Sequence, residues 1–519
     1  MIRKSIYSLL ALTIFYFGFV YLVAIGSLGS YEGPGEISNT STPKEIVSSR
    51  IQNQLDDKNK VGINNNKLIL FGDLHVHTTY SSDAFLFSLP LMAGEGTHPP
   101  ADACDFARYC SALDFWSNTD HAEDLTPQDW QEIKDTVRQC NAVSGEGQQD
   151  TIAFLGWEWT QVGGFGEQHY GHKNIILKDL EDDKIPARPI AAPQSGFANM
   201  PLPAKLGLSA LRAFDGRVQD LMTYARDGAT IPCESEVSVR DLPNDCREYA
   251  DNPGVLFDKL NDWGHEAVVI PHGTAWGAYT PPESDWKKQL TEEFHDPYYQ
   301  TLIEVYSGHG NSELHRKWRS TLYDENGLAI CPSPSENYLP ACWQAGVIIE
   351  ERCLKEGESK RECDKRAIEA RQNYADAGNA GQATVYNEEP TEWLDANQCQ
   401  DCFLPAFNMK PKGSAQYILA LRNFDPKDTV ERFKFGFIGS SDTHSARAGN
   451  GYKDIKRMDY TDAAGPTESA GFIFGFNEGE GTYAKSTPKT YTSETISGGP
   501  IEIDRIMSYF YTGGLIATH

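Results

Sequence analysis

Positive charge is scarce in this chain. Its 46 lysines and arginines stand against 73 aspartates and glutamates, a formal net charge of -27. A protein that wraps a phosphate backbone needs the opposite balance, so nucleic acid is excluded as the main partner. Internal repeats and low-complexity tracts are also missing, which excludes solenoids and propellers built from repeated units. There is no second Cys-x-x-Cys to partner Cys399-Gln-Asp-Cys402, and no thioredoxin-like βαβ setting around it. A structural disulfide is therefore expected there, ahead of a zinc or redox motif. Length imposes no such limit, because single α/β barrels run to roughly 250 residues and this chain has 519.

The chain opens with Arg3 and Lys4, then an uncharged, largely apolar run over residues 5–30. The run is long enough to span a bilayer, while Ala24-Ile-Gly26 offers a small-residue cleavage site. Residues 1–30 are thus read as a signal peptide or a transmembrane anchor, with a slight preference for the uncleaved anchor. A buried core helix fits poorly, because no polar face is left for water. The basic flank puts the N-terminus in the cytoplasm and the body outside it, exported and either periplasmic or membrane-anchored. Residues 31–66 turn polar and read as a linker. Eleven cysteines suit an exported chain, in which disulfides persist. The local pairs Cys104 with Cys110, Cys233 with Cys246, Cys353 with Cys363 and Cys399 with Cys402 are candidate bridges, and one thiol must be left over.

From residue 67 onward, apolar runs repeatedly end in a polar group that can bind metal. Residues 68–76 lead to His75 and His77, spaced i, i+2 so that a strand would point both imidazoles to one face, with Asp83 six residues on. Residues 113–119 lead to Asp120 and His121, and 151–157 to Glu158. A short apolar run borders His172 and another ends at His272, residues 301–306 lead to His309, and 433–439 lead to Asp442 and His444. Helices are expected between these strands over 101–110, 126–140, 215–225, 254–262 and about 312–322. Two long insertions, about 179–250 and 324–407, interrupt the series. Strands alternating with helices, with ligands at the strand ends, indicate an α/β barrel whose site lies at the C-terminal strand ends. His75, His77, Asp83, His121, Glu158, His172, His272, Asp442 and His444 exceed the needs of one ion and divide naturally among two or three divalent ions. Each histidine taken alone is equally well a buried, hydrogen-bonded core residue. Six of the thirteen at strand ends favour metal.

The order of these motifs resembles the PHP superfamily, named for polymerase and histidinol phosphatase. Asp73-Leu-His75-Val-His77 with Asp83, Thr119-Asp120-His121, Gly156-Trp-Glu158, His172, His272 and Asp442-Thr-His444 match its motifs in sequence. Gly-Trp-Glu-Trp, Ile-Pro-His-Gly-Thr-Ala-Trp-Gly and Val-Tyr-Ser-Gly-His-Gly-Asn-Ser-Glu are similar to one bacterial branch of it, long labelled a domain of unknown function. The resemblance covers residues 67–519 and implies a distorted PHP-type β/α barrel with a polynuclear site of zinc, manganese or iron. The long insertions depart from the small PHP phosphatases. The chain also stops at His519, where members of the branch continue with a helix and a strand, so a C-terminal truncation is one expectation.

By that resemblance the chain is expected to be a metal-dependent hydrolase, first of all a phosphoesterase that turns a metal-activated water on a small phosphorylated substrate. Two alternatives stay open: a hydrolase of amides, lactones or carboxylic esters, and a non-catalytic exported metal-binding protein. Asp120 is a candidate for orienting a ligand imidazole or taking a proton, or simply for capping a turn. His309 is a candidate for protonating the leaving group, and Arg447 for clamping phosphoryl oxygens.

Overall fold

The apolar run before the first histidines becomes the strand Leu70–Val76, seen here in a computed structural model. The structure describes residues 2–62, 68–88, 96–144, 149–163, 168–193, 200–274, 284–307, 321–377, 384–388, 411–422, 432–450, 482–488 and 514–518, with single residues and pairs between them. Leu70–Val76 pairs in parallel with Phe115–Asn118, which pairs in parallel with Ile152–Phe154. Gly72 permits this pairing, because a Cβ there would stand 2.2 Å from the Phe115 ring. The other edge of the opening strand takes Ile516–Thr518 antiparallel, with Leu70 opposite Thr518.

A second sheet runs differently. Gly156–Gln161, Gly171–Leu177 and Ala267–His272 pair antiparallel, not in the parallel order expected from the sequence. The reason lies in residues 162–170, which are too few for a crossover helix, so the chain must turn back on itself. That reversal sets His172 directly opposite His272. A third sheet pairs Leu302–Ser307 in parallel with Gly436–Gly439. Parallel bridges from Val76 to Thr443 and from His121 to Glu158 link the sheets. Among the described residues they do not form one continuous closed barrel.

The helix Pro127–Val143 starts at Thr126, whose side chain accepts from the Asp129 backbone while the Asp129 carboxylate accepts in return. Trp130, Ile133, Val137 and Cys140 recur at helical spacing and are buried against Trp116, Trp157 and Trp159. Cys140 bonds Cys104 across a Cα separation of 6.0 Å, which corrects the expected Cys104 to Cys110 bridge. Cys110 ends the short helical segment Phe106–Cys110 that continues Pro100–Asp105, and its thiol is exposed and bonded to no other cysteine among the described residues. Cys233 with Cys246 and Cys353 with Cys363 are bridged as expected, and Cys331 joins Cys342. Cys399 and Cys402 lie outside the described residues.

The polar stretch after the N-terminal run is packed against the body. It holds the helix Lys44–Lys60 and buries Ile37 and Val47, and Arg50 donates to the carbonyls of Ala112 and Asp150. In the second insertion, Ala341–Lys355 and Lys360–Ala377 build a separate small core around Ile348, Ile349, Tyr374 and Trp393. The expected helix over 312–322 falls largely outside the described residues.

Candidate metal centre

The opening strand and the turn after it bring His75 and His77 together, fully buried, with their Nε2 atoms 3.1 Å apart. What holds the other ring nitrogens decides what these atoms are. His75 Nδ1 donates to Glu304, 3.1 Å away. His77 Nδ1 meets the Ser81 hydroxyl at 2.9 Å, and that hydroxyl donates to Asp120, so the ring must donate. The same logic covers His121, whose Nδ1 meets the Thr160 hydroxyl at 2.7 Å while that hydroxyl donates to Glu158. His444 Nδ1 donates to the carbonyl of Asp442 at 3.1 Å. With Nδ1 engaged as a donor in each of the four rings, Nε2 is the nitrogen that would give its lone pair to an ion once it carries no proton.

These lone pairs converge on carboxylates. Glu158 Oε2 lies 3.1 Å from His75 Nε2, 3.2 Å from His77 Nε2 and 3.4 Å from His272 Nε2. Its other oxygen is 2.7 Å from His172 Nδ1. Asp442 Oδ1 stands 3.1 Å from His75 Nε2 and 3.4 Å from His77 Nε2. Asp83 Oδ2 stands 3.1 Å from His121 Nε2 and 3.0 Å from His444 Nε2. Lone pairs facing lone pairs in a dry pocket repel unless a proton or cation sits between them. Nitrogen and carboxylate oxygen at such spacing suit a divalent ion.

Three overlapping groups result: His77, Asp83, His121 and His444; His75, Glu158 and His272; and His75, His77 and Asp442. Within each, the ligand atoms lie within 4.8 Å of one another. These buried groups could hold metal ions. Eight of the nine residues picked from the sequence belong to them, and His172 joins through Glu158. Asp442 sits in the left-handed region with φ 51°, a strained conformation that Asp tolerates better than most and that functional sites often retain.

The electrostatics follow from crowding. Burial would lower the His75 imidazole, but the charges of Asp442 and Glu304 and its bonds to Glu158 and Glu304 leave it raised well above its ordinary value. His77 and His121 are raised in the same way, against burial, by neighbouring carboxylates. Burial would raise Asp83, yet His444 and His121 hold it well below the carboxylate range, and the surrounding imidazoles do the same for Glu158. For His172 burial wins, and its ring is lowered.

Asp120 accepts from the Thr78 backbone at 2.6 Å, the Thr78 and Ser81 hydroxyls at 2.8 Å and the Asn118 amide at 2.6 Å. It holds the turn that carries Ser81, and through Ser81 it fixes His77. Arg447 is partly buried, and its charge bears on Asp102. His309 lies outside the described residues. Sequence reading missed Glu304, Ser81 and Thr160. Glu304 had a signal, since it is the only charge in the strand Leu302–Ser307 and is flanked by Ile303 and Val305. Ser81 and Thr160 had none, because hydroxyls near strand ends are common.

The four disulfides among the described residues and the apolar helix Ile2–Ala24 are compatible with export. Comparison with protein-family models, with curated proteins and with solved structures found no match for this chain.

Proposed function

We propose that the chain is a metal-dependent hydrolase, a phosphoesterase acting on a small phosphorylated substrate, with its body outside the cytoplasm and residues 2–24 kept as a membrane anchor. We take the three sheets, joined by the Val76 to Thr443 and His121 to Glu158 bridges, as the wall of a distorted β/α barrel of the PHP kind. The observation that carries the reading is the 3.1 Å approach of His75 Nε2 to His77 Nε2, inside overlapping groups that share these two residues. Two or three divalent ions of zinc, manganese or iron would supply Lewis acidity toward water and toward a phosphoryl group.

The chain's own part is positioning. Glu304 orients His75, Asp120 orients His77 through Ser81, and Thr160 orients His121, which turns each Nε2 toward the carboxylates before any ion arrives. Asp83 has the most exposed side chain among the ligands at 28%, followed by His172 at 14% and His121 at 11%. Substrate would approach from that side. Arg447, three residues beyond His444, is the proposed clamp for phosphoryl oxygens.

The test is a substrate panel on purified protein loaded with manganese, zinc or iron. Phosphomonoesters and phosphodiesters should be hydrolysed, with activity lost to chelator and restored by metal. Turnover confined to amides, lactones or carboxylic esters would move the assignment to that class. No turnover with ions bound, by elemental analysis, would leave a metal-binding protein without catalysis.

A further inference from the structure

The N-terminal helix Ile2–Ala24 is not a free tether. Its last turns bury Val20 and Val23 in a cluster with Ala213, Val218, Leu221, Met222 and Phe85. The chain leaving it is fastened to the helix Gly216–Asp227 at close quarters. A Cβ on Gly26 would stand 2.4 Å from the Met222 carbonyl oxygen, and one on Gly29 would stand 2.2 Å from that of Gln219. Thr223 and Arg226 donate to the Gly26 carbonyl at 3.0 and 2.6 Å, and Ser30 N donates to Asp220 at 2.9 Å. Folded structure thus depends on residues 20–30, which removal of a signal peptide would strip or cut through.

The same contacts hold a second helix, Leu202–Arg212, beside the first. Tyr16 donates to the Ala210 carbonyl at 2.5 Å, and Phe19 stacks on Phe214 with ring centroids 4.9 Å apart. The outward face of that helix is the reverse of what water selects. Pro203, Ala204, Gly207, Ala210 and Leu211 fall on one face at helical spacing, Phe214 continues it, and all are exposed. Leu211 is 82% exposed and Phe214 75%. No charge interrupts the face, while Lys205 and Arg212 are turned partly inward. An uncharged helical face beside a spanning helix that carries no charge after Lys4 forms one apolar surface across both.

We infer that the occupant of this face is the lipid bilayer itself: Leu202–Arg212 and Phe214 lie in the membrane interface beside the anchor, and dock the body on the lipid surface. The inference rests on the anchor reading above, and continuity with the anchor is what selects lipid over a protein partner. It also fixes the metal centre relative to the membrane. Phe85 of the same cluster lies two residues after Asp83, and Tyr224 stacks on it at 4.3 Å and donates to the Tyr80 carbonyl at 3.0 Å.

The test uses the full chain in phosphatidylcholine and phosphatidylglycerol vesicles that carry a diazirine on the acyl chain. After photolysis, adducts are mapped by mass spectrometry. Adducts are expected in residues 2–24 and again in 202–214, with none in Lys360–Ala377, although Ile368 there is 63% exposed. Labelling of 2–24 without 202–214 would overturn the docking face and leave the anchor standing. An intact mass lacking the first residues up to about 24 would overturn both. Ala204→Asp with Leu211→Asp, two exposed positions, should abolish adducts in 202–214 and keep those in 2–24; persistence of both would also overturn the face.

Discussion

His75 Nδ1 lies 3.1 Å from Glu304 Oε2, and both side chains are closed off from solvent. The pair joins the first strand of the site to one more than two hundred positions later. It sets the tautomer of the imidazole that belongs to two of the three metal groups. Glu304→Gln keeps the shape and weakens the acceptor, so metal affinity should fall about 10- to 100-fold with secondary structure unchanged. Competition against a chelator measures it. An affinity equal to that of the parent protein would remove Glu304 from this role.

Two or three divalent ions per chain should be found by elemental analysis after resupply with manganese, zinc and iron. Glu158 stands at the centre, within 3.5 Å of five imidazoles. Glu158→Gln should therefore reduce the ion count and remove most activity, with the circular dichroism spectrum retained. One ion or fewer in the parent protein, or full activity in the variant, contradicts the assignment.

Metal uptake should release protons. His75, His77 and His121 are raised above the ordinary histidine value of 6.5, so they hold protons near neutrality until ions replace them. Apparent affinity then climbs with pH. The stabilising contribution of these charged rings to metal-free protein is complete below about 6.5 and fades as pH rises through their raised values. Titration calorimetry in buffers of different ionisation enthalpy counts the protons; a count of zero refutes the charged-ring description.

Lys173 is fully buried between Trp159 and Trp286, its Nζ donating to the Tyr170 carbonyl at 2.7 Å. Burial pushes it from 10.5 down to about 7, so its charged form opposes folding. That cost is largest below about pH 7 and is relieved as pH rises toward 10.5, because the unfolded chain binds the extra proton across that window. Lys173→Met should raise Tm at pH 6 to 7 by several degrees, and the gain should shrink by pH 10. A gain that stays constant with pH would mean that packing, not charge, is responsible.

The candidate ligands other than Asp83 were legible in the sequence because they interrupt, end or border an apolar run, and a carboxylate or imidazole at the end of a buried strand needs a partner; Asp83 was singled out only by its place six residues beyond His77. Thr126 and Pro127 announced their helix for a similarly local reason, since a capping side chain and a proline in the first turn suit a helix start whatever the rest of the chain does. Pairings across distance were not legible. Cys140 comes to Cys104 from 36 residues away, and Glu304 becomes a partner of His75 only when their strands are placed in the fold. Asp120 could be read as a base or a cap until four donors were seen to fill its oxygens. The Leu202–Arg212 face has no meaning until the N-terminal helix lies against it. Sequence by itself determined which side chains can carry charge, metal or apolar surface, because that chemistry is local. Only the tertiary structure decided which of them meet, because a hydrogen bond or a ligand contact requires approach within a few ångströms, and chain order does not dictate that approach.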